Sequence, residues 1–339
     1  MLTTLKTSNR LVTLINDCNQ LVIDTLKGSN FKEAQIALES FKSGGKRLRP
    51  ALMMLTSTIP QQVPLEQLDD TLVDLAGAIE LIHLATLFHD DVIDDVDTRR
   101  SSESAKVKYG NHASVLAGDF ALAEGLSLVQ RSKLLHTMSE FLRTIRVLVR
   151  GESRETQHKF DFNISDAVYY EIISEKSASL FALSCKVGAL SQHSEFSDTL
   201  GHFGWNLGMA FQMIDDLDDM LDIMNDSSDC DLRNGYFALP IIQAFNNLED
   251  GNREKLVTII RDADFTRENE QFIASLYHRM GAINQTRTEI HEHLNHAGEI
   301  LNRFETSEAV QLLGLVIDDL KGYADKQVEN YLTVTRPVN

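Results

Sequence analysis

Apolar residues recur at three- and four-residue spacing almost throughout this chain, and this periodicity limits the folds it can adopt. The run Leu11, Leu14, Ile15, Cys18 and Val22 is one example. Strand-like alternation bounded by turn residues is hard to find, and a long central stretch contains no proline. The pattern therefore predicts an all-α protein.

The 339 residues would suffice for two domains of average length, but no Pro-, Gly- or Ser-rich linker divides them. We expect one domain over residues 1–339, with its motifs in residues 44–242. Amphipathic helices in residues 254–333 would cover the bundle and contribute to an oligomer face. A helix from about Glu66 to Asp97, and a second from about Asp198 to Met224, are apolar on more than one face, which is typical of the middle of a bundle.

The formal net charge of −18 argues against nucleic acid and anionic membrane surfaces as partners. We identify no apolar run long enough to span a bilayer and no signal-peptide region at the N-terminus. The three cysteines have no ligand-like spacing and are too few for a disulfide framework. These features predict a cytoplasmic protein without a transmembrane segment.

Two carboxylate clusters with the pattern DDxxD lie in otherwise apolar helices. The first contains Asp90, Asp91 and Asp94, and the second contains Asp215, Asp216 and Asp219. In a helix the outer aspartates lie one turn apart, and like charges at this spacing destabilise a helix by about 0.2–0.5 kcal/mol per pair. A single Asp run is most often a solvated helix face. Two runs with the same spacing on apolar helices indicate bound cations instead.

The ligands are all carboxylate oxygens, which indicates Mg²⁺ or Mn²⁺ rather than Zn²⁺. Mg²⁺ typically bridges a few carboxylates to phosphate oxygens, so two Asp clusters favour a metal-held diphosphate. Basic residues support an anionic ligand: three cations lie within Gly44–Pro50, and Arg99 and Arg100 follow the first cluster. Taken alone, Lys176 is more often a surface lysine and His83 a core histidine.

These motifs together resemble the trans-polyprenyl diphosphate synthases of the isoprenoid synthase type, closest to the branch that makes hexaprenyl to octaprenyl products. The family elements GGKxxRP, DDxxD, an Arg pair, a KTA-like triplet and FQxxDD appear in order as Gly44–Pro50, Asp90–Asp94, Arg99-Arg100, Lys176-Ser177-Ala178 and Phe211–Asp216. The resemblance implies an all-α bundle around a central cavity, with the whole chain forming one polyprenyl synthetase domain. It also implies a homodimer.

The resemblance further implies a transferase that joins isopentenyl diphosphate head-to-tail to an allylic diphosphate of the farnesyl type. Mg²⁺ would be held by Asp90, Asp94, Asp215 and Asp219, with Asp91 and Asp216 as further candidate ligands. The allylic diphosphate would contact Arg99, Lys176, Ser177 and Gln212. Isopentenyl diphosphate would be bound by Lys46, Arg49, His83 and Arg100. Asp90, Asp94, Lys176 and Asp215 would be the catalytic residues.

In this family, product length depends on the residues below the first DDxxD. Ala85 and Thr86 stand where bulky aromatic residues close the tunnel in short-chain enzymes, and Ile82 would line the next turn. Small residues there leave room for a growing tail. The resemblance therefore implies a medium- or long-chain product.

The chain departs from the family pattern on the side of the second cluster. The stretch Asp222–Asp231 lacks the lysine of the usual GKPxGxD motif, Tyr236 stands at the lysine of GKxTLP, and Glu155 stands at the glutamine of GExxQ. These losses leave open a weakly active or regulatory subunit that works with a partner in a heteromeric synthase.

Two other readings remain open. A ferritin-like di-iron protein would use ExxH pairs, and Glu80-x-x-His83 and Glu155-x-x-His158 fit that pattern. It would leave both DDxxD clusters unexplained. A terpene cyclase of the same fold would usually replace the second DDxxD by a mixed Asn/Ser/Glu motif, which is absent here.

Overall fold

The helical periodicity of the sequence is realised in a computed structural model, which describes residues 4–68, 70–99, 102–192, 194–223 and 231–334. Within them lie α1 (Asn9–Lys27), α2 (Lys32–Lys42), α3 (Leu48–Thr58), α4 (Asp70–Ile93), α5 (Ala105–Tyr109), α6 (Asn111–Arg131), α7 (Leu135–Gln157), α8 (Asp166–Ile173), α9 (Ser179–Ser191), α10 (Ser197–Ile223), α11 (Leu239–Asn247), α12 (Asp250–Arg261), α13 (Arg267–Met280), α14 (Ala282–Leu301) and α15 (Glu308–Val334). A small antiparallel hairpin pairs β1 (Thr98–Arg99) with β2 (Ser102–Glu103). The predicted all-α class is confirmed.

Within the part of the chain that the structure describes, three short segments have helical turns that are not α-helical. Two are 3₁₀ turns, Thr4–Thr7 and Leu65–Gln67, and the third is a π-helical turn, Ser174–Ala178, between α8 and α9. Single π turns inside α-helices occur frequently at functional sites. This one contains Lys176 and Ser177, two of the residues that the sequence singles out.

The contacts divide the chain into two compact units, each assembled from three stretches. The first unit contains Met1–Ile145, Leu180–Gly204 and Glu299–Val316, and the second contains Arg146–Ser179, Trp205–Gly298 and Ile317–Asn339. The single domain expected over residues 1–339 stays a prediction.

In the first unit, α4 lies at the centre and packs against α1, α2, α3, α5 and α6. Its buried side chains point in all directions, as the sequence predicted for a helix in the middle of a bundle, and include Leu75, Ile79 and Ile82. Burying each such side chain contributes about 1.5–3 kcal/mol. The amphipathic α1 covers it with one apolar face, and the Ser8 hydroxyl accepts a hydrogen bond from the Leu11 N–H to cap its start.

By length and composition alone, α4 could cross a membrane, contrary to the expectation that no apolar run is long enough. Its most apolar window has a mean hydropathy of 1.6 and is 67% buried within the structure. The neighbouring helices cover α4 on several sides, so its apolar residues serve to pack the core of the first unit.

In the second unit, an aromatic cluster joins α11 to the segment before α8. The rings of Phe162, Phe237 and Phe245 lie with their centroids 5.3–5.6 Å apart. Arg253 of α12 donates hydrogen bonds to the backbone oxygens of Phe162, at 3.0 Å, and Phe245, at 2.9 Å. The helices expected within residues 254–333 are α12 to α15, of which α12 begins slightly earlier, at Asp250.

A carboxylate on α14 is expected to make stability depend on pH. Burial, with the nearby charges of Asp166 and Glu292, raises the pKa of Glu289 from 4.5 to about 7. The folded protein therefore holds this proton more tightly than the unfolded chain, and stability is lost as the pH rises from about 4.5 through 7. After allowance for solvent screening, we expect this loss to be about 1 kcal/mol in the free energy of unfolding. Glu289→Gln has no titrating group at this position and is expected not to show it.

The measurement is the melting temperature of wild type and variant between pH 5 and 8. Wild type is expected to lose more stability over this range than Glu289→Gln. Glu254→Gln, which alters an exposed carboxylate of the same unit, is the control and keeps the wild-type slope. Parallel slopes for wild type and Glu289→Gln would contradict the prediction.

Candidate active site

The first carboxylate cluster lies at the C-terminal end of α4. Asp90 and Asp91 are in its last turn, and Asp94 comes directly after its final residue, Ile93. The Asp94 N–H donates to the Asp90 carbonyl at 2.8 Å. Asp91 is buried, and the other two are partly buried. The C-terminal end of a helix carries partial negative charge, so carboxylates there are disfavoured unless a cation compensates them.

The chain after α4 forms a loop that contacts Lys106 of α5. Asp95 adopts a positive φ of 57°, which ends the helix before Asp97, the boundary expected from the sequence. The buried Lys106 ammonium lies 2.5 Å from the Asp95 carboxylate and 2.9 Å from that of Asp97. Of the predicted arginine pair, Arg99 has its backbone in β1, whereas its side chain and the whole of Arg100 lie outside the described residues.

His89, directly before the first cluster, contacts α6. Its Nε2 atom lies 3.4 Å from an Asp119 carboxylate oxygen. A Cβ atom added to Gly118 would lie 2.5 Å from the same nitrogen, so a larger residue there would displace the imidazole. In the sequence, the only indication of this contact is the position of His89 directly before the DDxxD pattern.

The basic GGKRLRP segment begins as a loop and continues into α3, which starts at Leu48. Gly44 and Gly45 have φ values of 117° and 154°, which the absence of a side chain permits. Lys46 is exposed, and the guanidinium of Arg49 lies over the Phe181 ring at 4.5 Å. His83, the remaining candidate for isopentenyl diphosphate, is partly buried on α4.

The three candidate chain-length residues lie on α4 in the first unit. Ala85 and Ile82 are buried, and Thr86 is partly buried, with its hydroxyl donating to the His83 carbonyl at 2.9 Å. Ile82 packs against α6, since a Cβ atom on Gly125 would lie 3.2 Å from its Cγ1 atom.

The second carboxylate cluster lies near the C-terminal end of α10, in the second unit. Asp215 is exposed, Asp216 is buried and Asp219 is partly buried. Asp219 accepts a hydrogen bond of 3.1 Å from the Asp231 N–H. Residues 224–230 lie outside the described residues, and with them lies most of the lysine-free stretch Asp222–Asp231.

A hydrogen-bond network joins the π turn to this cluster. The Ser177 hydroxyl donates to Gln212 at 2.5 Å, and the Gln212 amide donates to Asp216 at 2.9 Å. The Tyr169 hydroxyl donates to the other Asp216 oxygen at 2.5 Å. Three predicted residues are thereby brought together. Tyr169 was missed, although it precedes Lys176 by seven residues, the spacing that puts two residues on one helix face.

The electrostatics of Asp216 follow from this environment. Burial raises its pKa from 3.8 to about 7, hydrogen bonds from Tyr169 and Gln212 oppose the shift, and the charges of Asp231 and Asp215 add to it. Burial and the Asp216 charge also raise the pKa of Tyr169, which therefore remains a hydrogen-bond donor. Both Asp216 oxygens are oriented by neutral donors.

Lys176, in the π turn, lies beside two carboxylates of α7. Its ammonium is 3.0 Å from Glu152 and forms a second ion pair with Glu155, the residue that replaces the family glutamine. The backbones of α7 and the π turn approach each other closely: a Cβ atom on Gly151 would lie only 2.7 Å from the backbone nitrogen of Lys176.

At the other departure from the family pattern, Tyr236 is covered by a lysine from elsewhere in the chain. The Lys159 ammonium lies over the Tyr236 ring, 4.8 Å from its centroid. The Phe160 N–H donates to the Gly235 carbonyl at 2.8 Å and holds the two segments together. A cation is therefore present beside the position at which the motif has its lysine.

The ExxH pairs do not resemble a di-iron site. Glu80 forms an ion pair of 2.7 Å with Arg47, and Glu155 pairs with Lys176. The His158 Nδ1 atom lies 2.9 Å from the Arg154 carbonyl of its own helix. The carboxylates of both pairs contact basic side chains, as structural ion pairs do.

The polyprenyl synthetase family model matches residues 33–280, nearly three quarters of the chain. The chain belongs to this family. It is a prenyltransferase with the all-α isoprenoid synthase fold. The ferritin-like alternative is thereby excluded. The family uses a divalent metal ion and takes isopentenyl diphosphate and an allylic diphosphate as substrates.

Individual relatives agree with this assignment. The nonaprenyl diphosphate synthase of Mycobacterium tuberculosis is 34% identical over 66% of this chain and 67% of its own length. Component 2 of the heptaprenyl diphosphate synthase of Geobacillus stearothermophilus is 33% identical over 63% of this chain and 67% of its own. A polyprenyl synthase from Caulobacter crescentus, solved with calcium and isoprenyl diphosphate, is 29% identical with a TM-score of 0.82, over 94% of this chain and 97% of that one.

Proposed function

We propose that this polyprenyl synthase joins isopentenyl diphosphate head-to-tail to a farnesyl-type allylic diphosphate in a Mg²⁺-dependent reaction. The product is a medium- or long-chain all-trans polyprenyl diphosphate. The enzyme works as a homodimer in the cytoplasm.

The observation that carries this proposal is that each unit contains one DDxxD cluster on a long helix. Asp90 and Asp94 lie in and directly after the last turn of α4, and Asp215 and Asp219 lie in the last third of α10. Like-charge repulsion makes both clusters unfavourable for the isolated helices, and the helix dipole adds to this at the end of α4. A bound divalent cation offsets both effects, and the donors are all carboxylate oxygens, which fit Mg²⁺ and Mn²⁺.

A divalent metal ion held by Asp90, Asp94, Asp215 and Asp219 would supply positive charge that neutralises the diphosphate leaving group of the allylic substrate. The residues of the chain bind and orient the substrates. Arg99, Lys176 and Gln212 hold the allylic diphosphate, and the hydrogen bond from Ser177 orients Gln212. In this proposal Asp91 and Asp216 support the metal ligands on either side of them, because both are buried.

The isopentenyl diphosphate is held by cations of the GGKRLRP loop. Lys46 is exposed, and Arg49 is partly buried against Phe181, which fixes its guanidinium. His83 and Arg100 complete the set. As the allylic carbon–oxygen bond breaks, the double bond of isopentenyl diphosphate forms the new carbon–carbon bond, so no protein nucleophile is required. The released diphosphate accepts the proton lost from the isopentenyl unit, so no protein base is required either.

The names of two relatives support the proposed product length, and exposed apolar side chains support the proposed assembly. Those that are 34% and 33% identical are named for nonaprenyl and heptaprenyl products, which supports a long chain here. Val115 and Leu116 of α6 and Leu142 of α7 are exposed apolar side chains, which supports a homodimer. The name component 2 supports, as the alternative, a weakly active or regulatory subunit that works with a partner in a heteromeric synthase.

The test is incubation of the purified chain with farnesyl diphosphate, labelled isopentenyl diphosphate and Mg²⁺, followed by chromatography of the dephosphorylated products. We expect elongated all-trans products that disappear on chelation and return with Mg²⁺ or Mn²⁺. No elongation with any allylic primer would contradict a chain that is active alone. Activity that appears only with a second subunit would support the heteromeric alternative.

A further inference from the structure

Besides Lys46 and Arg49, the GGKRLRP segment contains Arg47, which directly precedes α3. Its side chain is held inside the first unit by several partners. Its Nε donates to the Asn19 side-chain oxygen at 2.7 Å, and its Nη1 donates to a Glu80 carboxylate oxygen at 2.7 Å. Its Nη2 donates to the Phe41 carbonyl at 3.0 Å. The guanidinium also lies over the Phe41 ring, 3.9 Å from its centroid. Partners from α1, α2 and α4 therefore converge on one side chain.

The low exposure of the Arg47–Glu80 ion pair indicates a structural role rather than direct contact with a ligand. The Arg47 side chain is 14% exposed and that of Glu80 is 5% exposed. Charges with so little contact with water require a partner, and removal of one leaves the other buried and uncompensated. Lys46, the next residue in the chain, is exposed. The loop therefore directs one cation inward and its neighbour outward.

The backbone explains how neighbouring side chains come to differ in this way. Arg47 has a φ of 49°, in the left-handed region that non-glycine residues rarely adopt. Such a conformation persists when surrounding contacts hold it. Here the three hydrogen bonds of the guanidinium supply those contacts. The turn between Lys46 and Arg49 therefore depends on where Arg47 is bound.

We propose that Arg47 and Glu80 are a positioning pair for the binding of isopentenyl diphosphate. Glu80 fixes Arg47, Arg47 fixes the turn, and the turn sets the positions of Lys46 and Arg49. The inference rests on the proposed function, which assigns those two cations to isopentenyl diphosphate. Glu80 belongs to α4, the helix that ends in the first carboxylate cluster, so one helix positions both groups.

The experiment replaces Glu80 by glutamine in the full chain. The variant keeps the size of the side chain and removes the charge that holds Arg47. We expect the KM for isopentenyl diphosphate to rise about tenfold, which is below the roughly 10²-fold that a misplacement of about 1 Å can cost. The KM for the allylic diphosphate stays within about twofold, because the loop does not hold that substrate in the proposed function. Arg47→Lys, which keeps the charge but loses the fork geometry, is expected to give the same selective rise.

The matched control is Asp74→Asn on the same helix. Asp74 is also buried and ion-paired with an arginine, since Arg131 Nε donates to it at 2.8 Å. We expect this variant to lower the melting temperature while both KM values stay unchanged. All kinetic measurements are made well below the melting temperature of each variant, so that loss of folded protein does not enter the comparison.

Two outcomes overturn the inference. In the first, Glu80→Gln and Arg47→Lys affect both substrates equally, in proportion to their lowered melting temperatures, as structural changes do. In the second, Lys46→Ala raises the KM for isopentenyl diphosphate but Glu80→Gln does not, and the positioning role alone fails. An unchanged KM in Lys46→Ala would instead overturn the proposed isopentenyl diphosphate site.

Discussion

Replacement of Asp215 by asparagine is expected to lower kcat by about 10²–10³-fold, equivalent to about 3–4 kcal/mol of transition-state stabilisation. The substitution keeps the shape of the side chain and removes the negative charge that a divalent cation requires. Asp215 is exposed on α10, so its neutralisation is not expected to disturb packing. Loss of one of several like charges on the same helix favours folding slightly.

The measurement is steady-state kinetics with both substrates over a range of Mg²⁺ concentrations. Besides the fall in kcat, the Mg²⁺ concentration for half-maximal rate is expected to rise, because the remaining aspartates hold the ion less tightly. A fall in kcat without any change in Mg²⁺ dependence would assign Asp215 a role other than metal binding.

Asp218 provides the matched control within the same helix. It occupies one of the two unspecified positions of the DDxxD pattern and is not one of the proposed metal ligands. It accepts a hydrogen bond of 2.9 Å from the Tyr323 hydroxyl and another from Gln327, both on α15. Asp218→Asn is therefore expected to change the melting temperature and leave kcat within about threefold. If it lowers kcat as much as Asp215→Asn does, the effect comes from the charge of the helix as a whole, and the assignment of Asp215 is wrong.

Helices and carboxylate clusters were predictable because both depend on short-range spacing. A DDxxD pattern puts its outer residues one helical turn apart, so Asp90 and Asp94, and likewise Asp215 and Asp219, were identified without a structure. The burial of α4 followed in the same way from apolar residues on all its sides. The same hydropathy makes the helix long and apolar enough to cross a membrane, so composition alone could not distinguish the two environments.

Features that depend on distant residues were not predictable. The end of α4 follows from the positive φ of Asp95, whose carboxylate pairs with Lys106 in the next helix. In the sequence, Arg47 is one of three cations that support an anionic ligand, but in the structure its guanidinium forms an ion pair with Glu80 of α4. The π turn around Lys176 packs against the backbone of Gly151, and no local pattern indicates an extra residue in that turn.

Replacement of Ala85 by phenylalanine is expected to shorten the product by at least one isoprene unit. Ala85 is buried on α4, five residues before Asp90, and the growing tail is proposed to extend past it. Protein interiors are close-packed, so a benzyl group fills space that the tail would otherwise enter. Elongation then stops earlier, while the diphosphate-binding residues are unchanged. The length distribution of dephosphorylated products, measured with farnesyl diphosphate as primer, reports the effect.

Leu87→Phe is the control for added bulk on the same helix. Leu87 lines a cavity together with Ile36, Glu39 and Tyr109, and Ala85 is not among the residues that line it. A larger side chain at Leu87 is therefore expected to leave product length unchanged. Overpacking destabilises by about 1–3 kcal/mol in either variant, so a shared loss of stability cannot explain a difference in product length. The same product length from Ala85→Phe as from wild type would rule out a tail path past Ala85. Equal shortening in both variants would mean that added bulk anywhere on α4 limits elongation.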